Sequence, residues 1–93
     1  MSLKEILEKF INFYNNQQLD ELMEIYSDDA VNHQTALQPI EGKDAIRNML
    51  KEQFSRVKAY CNIQKMVEDE NCVALEWTDP TGFKGCTFFY FKD

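Results

Sequence analysis

Apolar residues at Leu3, Ile6, Leu7, Phe10 and Phe13 or Tyr14 recur at the three- and four-residue spacing of one helix face. Ser2 and Glu5 stand at the head of this run in the Ser-x-x-Glu form of a capping box. The polar run Asn15-Asn16-Gln17-Gln18 interrupts the pattern. A second helix is predicted from Asp20, with Leu22, Met23 and Tyr26 on its apolar side, and Ser27-Asp28-Asp29 ends it. Val31 to Thr35 reads as a short strand. Gln38-Pro39-Ile40-Glu41-Gly42 reads as a turn, because Pro fixes φ and Gly tolerates unusual φ. A third helix is predicted from about Lys43 to Val57, with Ile46, Met49, Leu50, Phe54 and Val57 forming one stripe.

Beyond that point the period falls to two. Lys58–Val67, Cys72–Thr78 and Lys84–Lys92 read as three strands, joined by Glu68-Asp69-Glu70-Asn71 and Asp79-Pro80-Thr81-Gly82. Links this short imply antiparallel hairpins. If the second turn pairs Thr78 with Lys84, then Trp77 lies opposite Gly85, Glu76 opposite Cys86 and Ala74 opposite Phe88. One face then carries Val73, Leu75, Trp77, Thr87 and Phe89. The other carries Cys72, Ala74, Cys86, Phe88 and Tyr90, with Glu76 among them. A sheet wet on one side alternates more cleanly than this. One face is therefore expected to pack on the helices, and the other to need a second cover. The fold class is α+β, in one domain over residues 1–93.

Charge narrows the partners. The net charge of −6 argues against nucleic acid, which needs clustered Lys and Arg. Through Ala45 three Lys stand against nine acids, and from Ile46 onward seven bases meet seven acids, so the acidity belongs to the helical front. No apolar run approaches the roughly 18 residues of a membrane span. The first residues lack a signal peptide's basic start and apolar core, so a cytoplasmic protein is expected. Cys61, Cys72 and Cys86 read as reduced thiols, and with a single His no metal site or cofactor is expected.

Three motifs, in order and spacing, resemble the NTF2-like superfamily, in particular its SnoaL-like and ketosteroid-isomerase-like branch. They are Phe13-Tyr14-Asn15-Asn16-x-x-Leu19-Asp20, then Tyr26-Ser-Asp-Asp-Ala30, then Pro39-x-x-Gly42-x-x-Ala45-Ile46. The resemblance covers nearly the whole chain. It implies a cystatin-like cone, in which three N-terminal helices pack on a curved antiparallel sheet with a cavity between. It also implies a homodimer joined through the outer sheet face. Phe89-Tyr90-Phe91-Lys92-Asp93 looks like the strand before the family's final hairpin, so the last strand is expected to be missing: either the product is truncated or the protein lives without it. The resemblance does not extend to the steroid-isomerase mechanism. The family's Tyr position falls on Phe10, its Asp position near Thr87, and its base position on His33 or Gln34.

The candidate site residues follow. His33, the only His, is a candidate general base near neutral pH, the plain alternative being a solvent-facing ring. Tyr14 is a candidate donor, and so is Tyr26 at the pocket wall; both could equally be core residues with wet hydroxyls. Phe10, Phe54, Trp77 and Phe89 could line an apolar pocket or an ordinary core. Glu76 is a weaker candidate acid, set among apolar residues on a central strand, and otherwise an exposed or interface carboxylate. The first functional expectation is a pocket domain for a small hydrophobic ligand. The alternatives are an isomerase- or cyclase-type enzyme using His33, or a dimerisation module without an active pocket.

Overall fold

The computed structural model describes residues 2–32, 38–56 and 60–92. Helix α1 spans Leu3–Asn15 and opens with the expected capping box: Glu5 N–H donates to Ser2 Oγ at 3.2 Å, and Ser2 N–H donates to Glu5 Oε1 at 3.0 Å. Gln17, at φ 57°, turns the chain into α2, Leu19–Ile25. Strand β1 is Val31–Asn32 and β2 is Ile40–Glu41, paired antiparallel with each other. Helix α3 runs Lys43–Arg56. A three-stranded antiparallel sheet follows, in the order β3 (Asn62–Asp69), β4 (Cys72–Thr78) and β5 (Lys84–Tyr90).

The β4–β5 register is the expected one: Thr78 pairs with Lys84, Trp77 with Gly85, Glu76 with Cys86 and Ala74 with Phe88. Several boundaries differ from the sequence reading. Ile40 and Glu41 form a strand rather than part of a turn, since the chain bends only at Gly42 (φ 92°), whose N–H donates to Ala30 O at 2.7 Å. Strand β3 extends to Asp69, because Glu70 takes a left-handed φ of 53° and confines the turn to Glu70–Asn71. Thr35, Val57 and Lys58, at the ends of predicted elements, lie outside the described residues.

The core lies between the helices and one sheet face. Leu7, Phe10 and Ile11 of α1, Leu22 and Met23 of α2, and Ile46 and Leu50 of α3 meet Val73 and Leu75 of β4. Burying each large aliphatic here contributes about 1.5–3 kcal/mol. Phe54 lies at the margin of this layer and is half-buried, so the stripe of α3 leaves the core before its last turn. The opposite sheet face is bare: Val67, Phe88 and Tyr90 are 50, 60 and 72% exposed. Strand β1 pairs with β2. Among the described residues β5 pairs only with β4. Lys92, just past β5, is tied to the turn after α2 by an ion pair with Asp29 at 2.7 Å.

Candidate functional site

Helical spacing and strand parity bring most of the candidate residues into the layer between helices and sheet. Phe10 joins two of them edge-on, with ring centroids 5.4 Å from Tyr26 and 5.7 Å from Phe89. Tyr14, one turn beyond Phe10, meets Phe54 at 5.4 Å, again edge-on. Such pairs add roughly 0.5–1.5 kcal/mol each beyond their burial.

Trp77 is held from two sides. Its Nε1–H donates to Thr87 Oγ1 at 2.9 Å on β5, and its six-membered ring lies over Gly85. A Cβ at Gly85 would come within 2.6 Å of Trp77 Cε2 and 2.8 Å of Cη2, so the indole can occupy this place only because residue 85 has no side chain. Phe83 closes over the indole at 6.2 Å. The turn carrying Phe83 is built on Asp79, whose Oδ1 accepts from Thr81 Oγ1 at 2.6 Å, Thr81 N–H at 2.9 Å and Phe83 N–H at 3.0 Å. These bonds, Thr81's hydroxyl foremost, hold the Asp79 carboxyl below the usual range.

The polar content of the layer is small. Gln53 Nε2–H donates to the Tyr14 hydroxyl at 3.0 Å. Tyr14's pKa is raised, mainly by burial. Tyr26 caps the C-terminal end of α2, and burial, with Tyr14 nearby, pushes its phenol up to about 12. Among the described residues the Tyr26 hydroxyl has no hydrogen-bond partner, and no polar or charged residue is fully buried. Asn15 fixes the geometry at this end by pairing with the backbone of Cys61. Its Nδ2–H donates to Cys61 O at 2.9 Å, and Cys61 N–H donates to its Oδ1 at 2.7 Å. The Cys61 thiol beside it is pushed up to about 11 by burial.

Tyr14, Tyr26, Phe10, Phe54, Trp77 and Phe89 thus share one layer. Glu76 does not join them. It is exposed on the outer sheet face, opposite Lys65 on β3 and Cys86 on β5. His33 lies outside the described residues. Gln53, Asn15, Thr87 and Gly85 were not singled out from the sequence. A signal existed for two of them: Gln53 continues the spacing of Ile46 and Met49, and Asn15 that of Leu7 and Ile11, so each is a polar residue on an apolar stripe. Among the described residues no group of three or more His, Cys, Asp or Glu could hold a metal ion, and no helix is long and apolar enough to cross a membrane.

Comparison with known proteins agrees with this architecture. The family model of the SnoaL-like domain matches residues 7–93. A SnoaL-like protein of unknown function from Burkholderia thailandensis superposes with a TM-score of 0.87 at 14% identity, over 99% of this chain and 87% of that one. A cystatin-fold protein from Novosphingobium aromaticivorans gives 0.87 at 22% identity, over 99% and 90%. An LEH-like epoxide hydrolase from M. tuberculosis gives 0.83 at 24% identity, over 94% and 71%. No curated protein is similar enough in sequence to match.

Proposed function

The chain belongs to the SnoaL-like domain family, and on that premise we propose that it binds a small hydrophobic ligand between its helices and its sheet. The observation that carries this reading is the pair of phenols, Tyr14 and Tyr26, set in a layer otherwise walled by Phe10, Phe54, Trp77 and Phe89. Apolar walls with a few convergent polar groups are the usual make-up of a small-molecule site. Tyr14, Phe54 and Trp77 are half-buried, as are Tyr26 and Phe89, and Gln53 donates to the Tyr14 hydroxyl at 3.0 Å. Structural neighbours that include an epoxide hydrolase make a pocket in this fold a reasonable premise.

Trp77 is the only tryptophan, so its emission reports on the site directly. Titration with trans-decalin, an apolar probe without polar groups, should change that emission saturably. Side-chain resonances of Tyr14, Phe54 and Trp77 should shift with it. No saturable change, or shifts confined to Val67, Phe88 and Tyr90 on the outer face, would refute a site in this layer.

A second reading concerns the outer sheet face and is compatible with the first. Val67, Phe88 and Tyr90 are exposed beside Ala74 and Cys72. A contiguous apolar patch of this kind marks an interaction surface, and a second copy of the chain presents the same apolar face. The three unpaired thiols suit the reducing environment of the cytoplasm.

A further inference from the structure

The two edges of the three-stranded sheet are built differently. Strand β3, at one edge, carries Lys65, Glu68 and Asp69, and its pairing with β4 is interrupted between Ile63 and Lys65. Charges and bulges of this kind keep an edge from pairing with another chain. Strand β5, at the other edge, has neither guard. Its pairing with β4 runs in unbroken register from Thr78–Lys84 to Cys72–Tyr90, and no charged residue stands between Gly85 and Phe91. The bonds at its two ends fix the direction of its free backbone groups. Phe91 N–H donates to Asn71 O at 2.8 Å, and Asp79 N–H donates to Phe83 O at 2.9 Å. Bonded pairs alternate along an antiparallel ladder, so Gly85, Thr87 and Phe89 bond to β4. Lys84, Cys86, Phe88 and Tyr90 then present their N–H and C=O groups at the edge. Among the described residues no strand pairs there, since β1 and β2 pair with each other and do not approach β5.

We propose that this edge is where two copies of the chain join, β5 against β5 in antiparallel order, so that two three-stranded sheets become one. It is a different surface from the outer sheet face. Charge favours a second copy at the sheet over one at the helices. The acids are concentrated through Ala45, whereas bases and acids balance from Ile46 onward, so like-charge repulsion between copies is least here. Overlap selects the register. With Thr87 beside the two-fold axis the strands overlap over their whole length, and Cys86 lies opposite the partner's Phe88 and Lys84 opposite the partner's Tyr90. Each of these pairs can exchange both N–H···O bonds, and both copies present the same patch, as a two-fold interface requires. Moving the axis to Phe88 would set Lys84 opposite the partner's Lys92, and like charges directly opposed disfavour that pairing.

Backbone amide exchange in the wild-type chain, followed by NMR from micromolar to millimolar concentration, tests this. Thr87 and Phe89 should be protected throughout by β4. Cys86, Phe88 and Tyr90 should exchange freely when dilute and slow by about tenfold or more as copies pair. Fast exchange of these three at every concentration refutes the proposal, whether sedimentation finds a monomer or a dimer, since a dimer would then meet elsewhere. Protection that does not depend on concentration also refutes it, because the edge is then covered within the chain. Phe88 belongs to both the edge and the outer face, so a change on β3 separates the two. Val67→Lys charges the outer face and leaves the β5 edge untouched. It should keep the concentration-dependent protection; loss of that protection in a folded Val67→Lys protein would assign the association to the face and overturn the proposal. Cys86→Pro removes an edge N–H and no bond to β4, and should weaken association by roughly tenfold or more. A folded Cys86→Pro protein that associates like the wild type overturns it as well.

Discussion

Gly85→Ala tests the geometry of the inner layer at its tightest point. Trp77 and Gly85 are directly opposed on β4 and β5, and the indole crosses the strand over the glycine Cα. An alanine methyl would sit 2.6 Å from Cε2 and 2.8 Å from Cη2, with Cζ2 nearer still. These are atoms of a rigid ring rather than the loose end of a chain. The ring is also tethered through Nε1, next to Cε2, by the 2.9 Å bond to Thr87, and Phe83 lies against it at 6.2 Å. Reaching ordinary van der Waals distance needs a shift of roughly 1 Å, more than the Thr87 bond can absorb. Overpacking of this kind destabilises by about 1–3 kcal/mol, and losing the hydrogen bond adds about 0.5–1.5 kcal/mol. Against this stands the usual gain of replacing a strand glycine by alanine, about 0.5–1 kcal/mol. The net expectation is a loss of roughly 1–3 kcal/mol, or on the order of 4–20 °C in Tm for a domain of this size. Urea unfolding followed by far-UV circular dichroism measures the loss, and the emission of the single tryptophan reports whether the indole has swung out. Thr87→Val supplies the comparison, since it removes the hydrogen bond and leaves the space over residue 85 unchanged. A Gly85→Ala protein as stable as the wild type, with unshifted emission, would refute the packing of Trp77 over β5.

Two further expectations concern pH and association. Burial raises the phenol of Tyr26 from 10.0 to about 12 and the thiol of Cys61 from 9.0 to about 11, so both hold their protons more tightly when folded. Their stabilisation is complete below the unfolded values and is lost as pH rises through the folded ones, giving a decline that starts near pH 9 and runs to about 12. The Tyr26 share is on the order of 2–3 kcal/mol, whereas half-exposed Cys61 contributes less. Tyr26→Phe should therefore flatten the decline above pH 10 in chemical unfolding, and an unchanged profile would show that the phenol is not desolvated. Sedimentation at micromolar concentration should show a dimer for the wild type and a monomer for Phe88→Lys; a monomeric wild type would mean that the outer face is not a self-association surface.

The readable parts of this fold were those set by local geometry. The β4–β5 register followed from a short turn and strict alternation, because a slip of one residue would have moved Val73 and Leu75 out of the core. The face of α1 was equally legible, since Leu7, Phe10 and Ile11 repeat at helical spacing. The β1–β2 pair was not. Two residues are too few to show a period, and Pro39 with Gly42 carries the signature of a turn whether or not Ile40 and Glu41 pair across it. At the site, the aromatic walls could be named from the same periodicities, but the polar contacts could not. Gln53 meets Tyr14 across 39 residues, and Asn15 meets Cys61 across 46. No local rule joins such pairs; only the docking of α1 against α3 and β3 does.

The two faces of the sheet also bear on Glu76. Parity decides its direction, because Leu75 and Trp77 face the helices and Glu76 must then face away. On a bare face its carboxylate is solvated and belongs to no site. If a second copy covers Val67, Phe88 and Tyr90, the same carboxylate becomes desolvated, with Lys65 directly opposite it on β3. The role of Glu76 and the oligomeric state are thus a single question. In a Phe88→Lys monomer, Glu76→Gln should be silent; in the dimer it should change the association constant, because there it leaves Lys65 without its counter-charge.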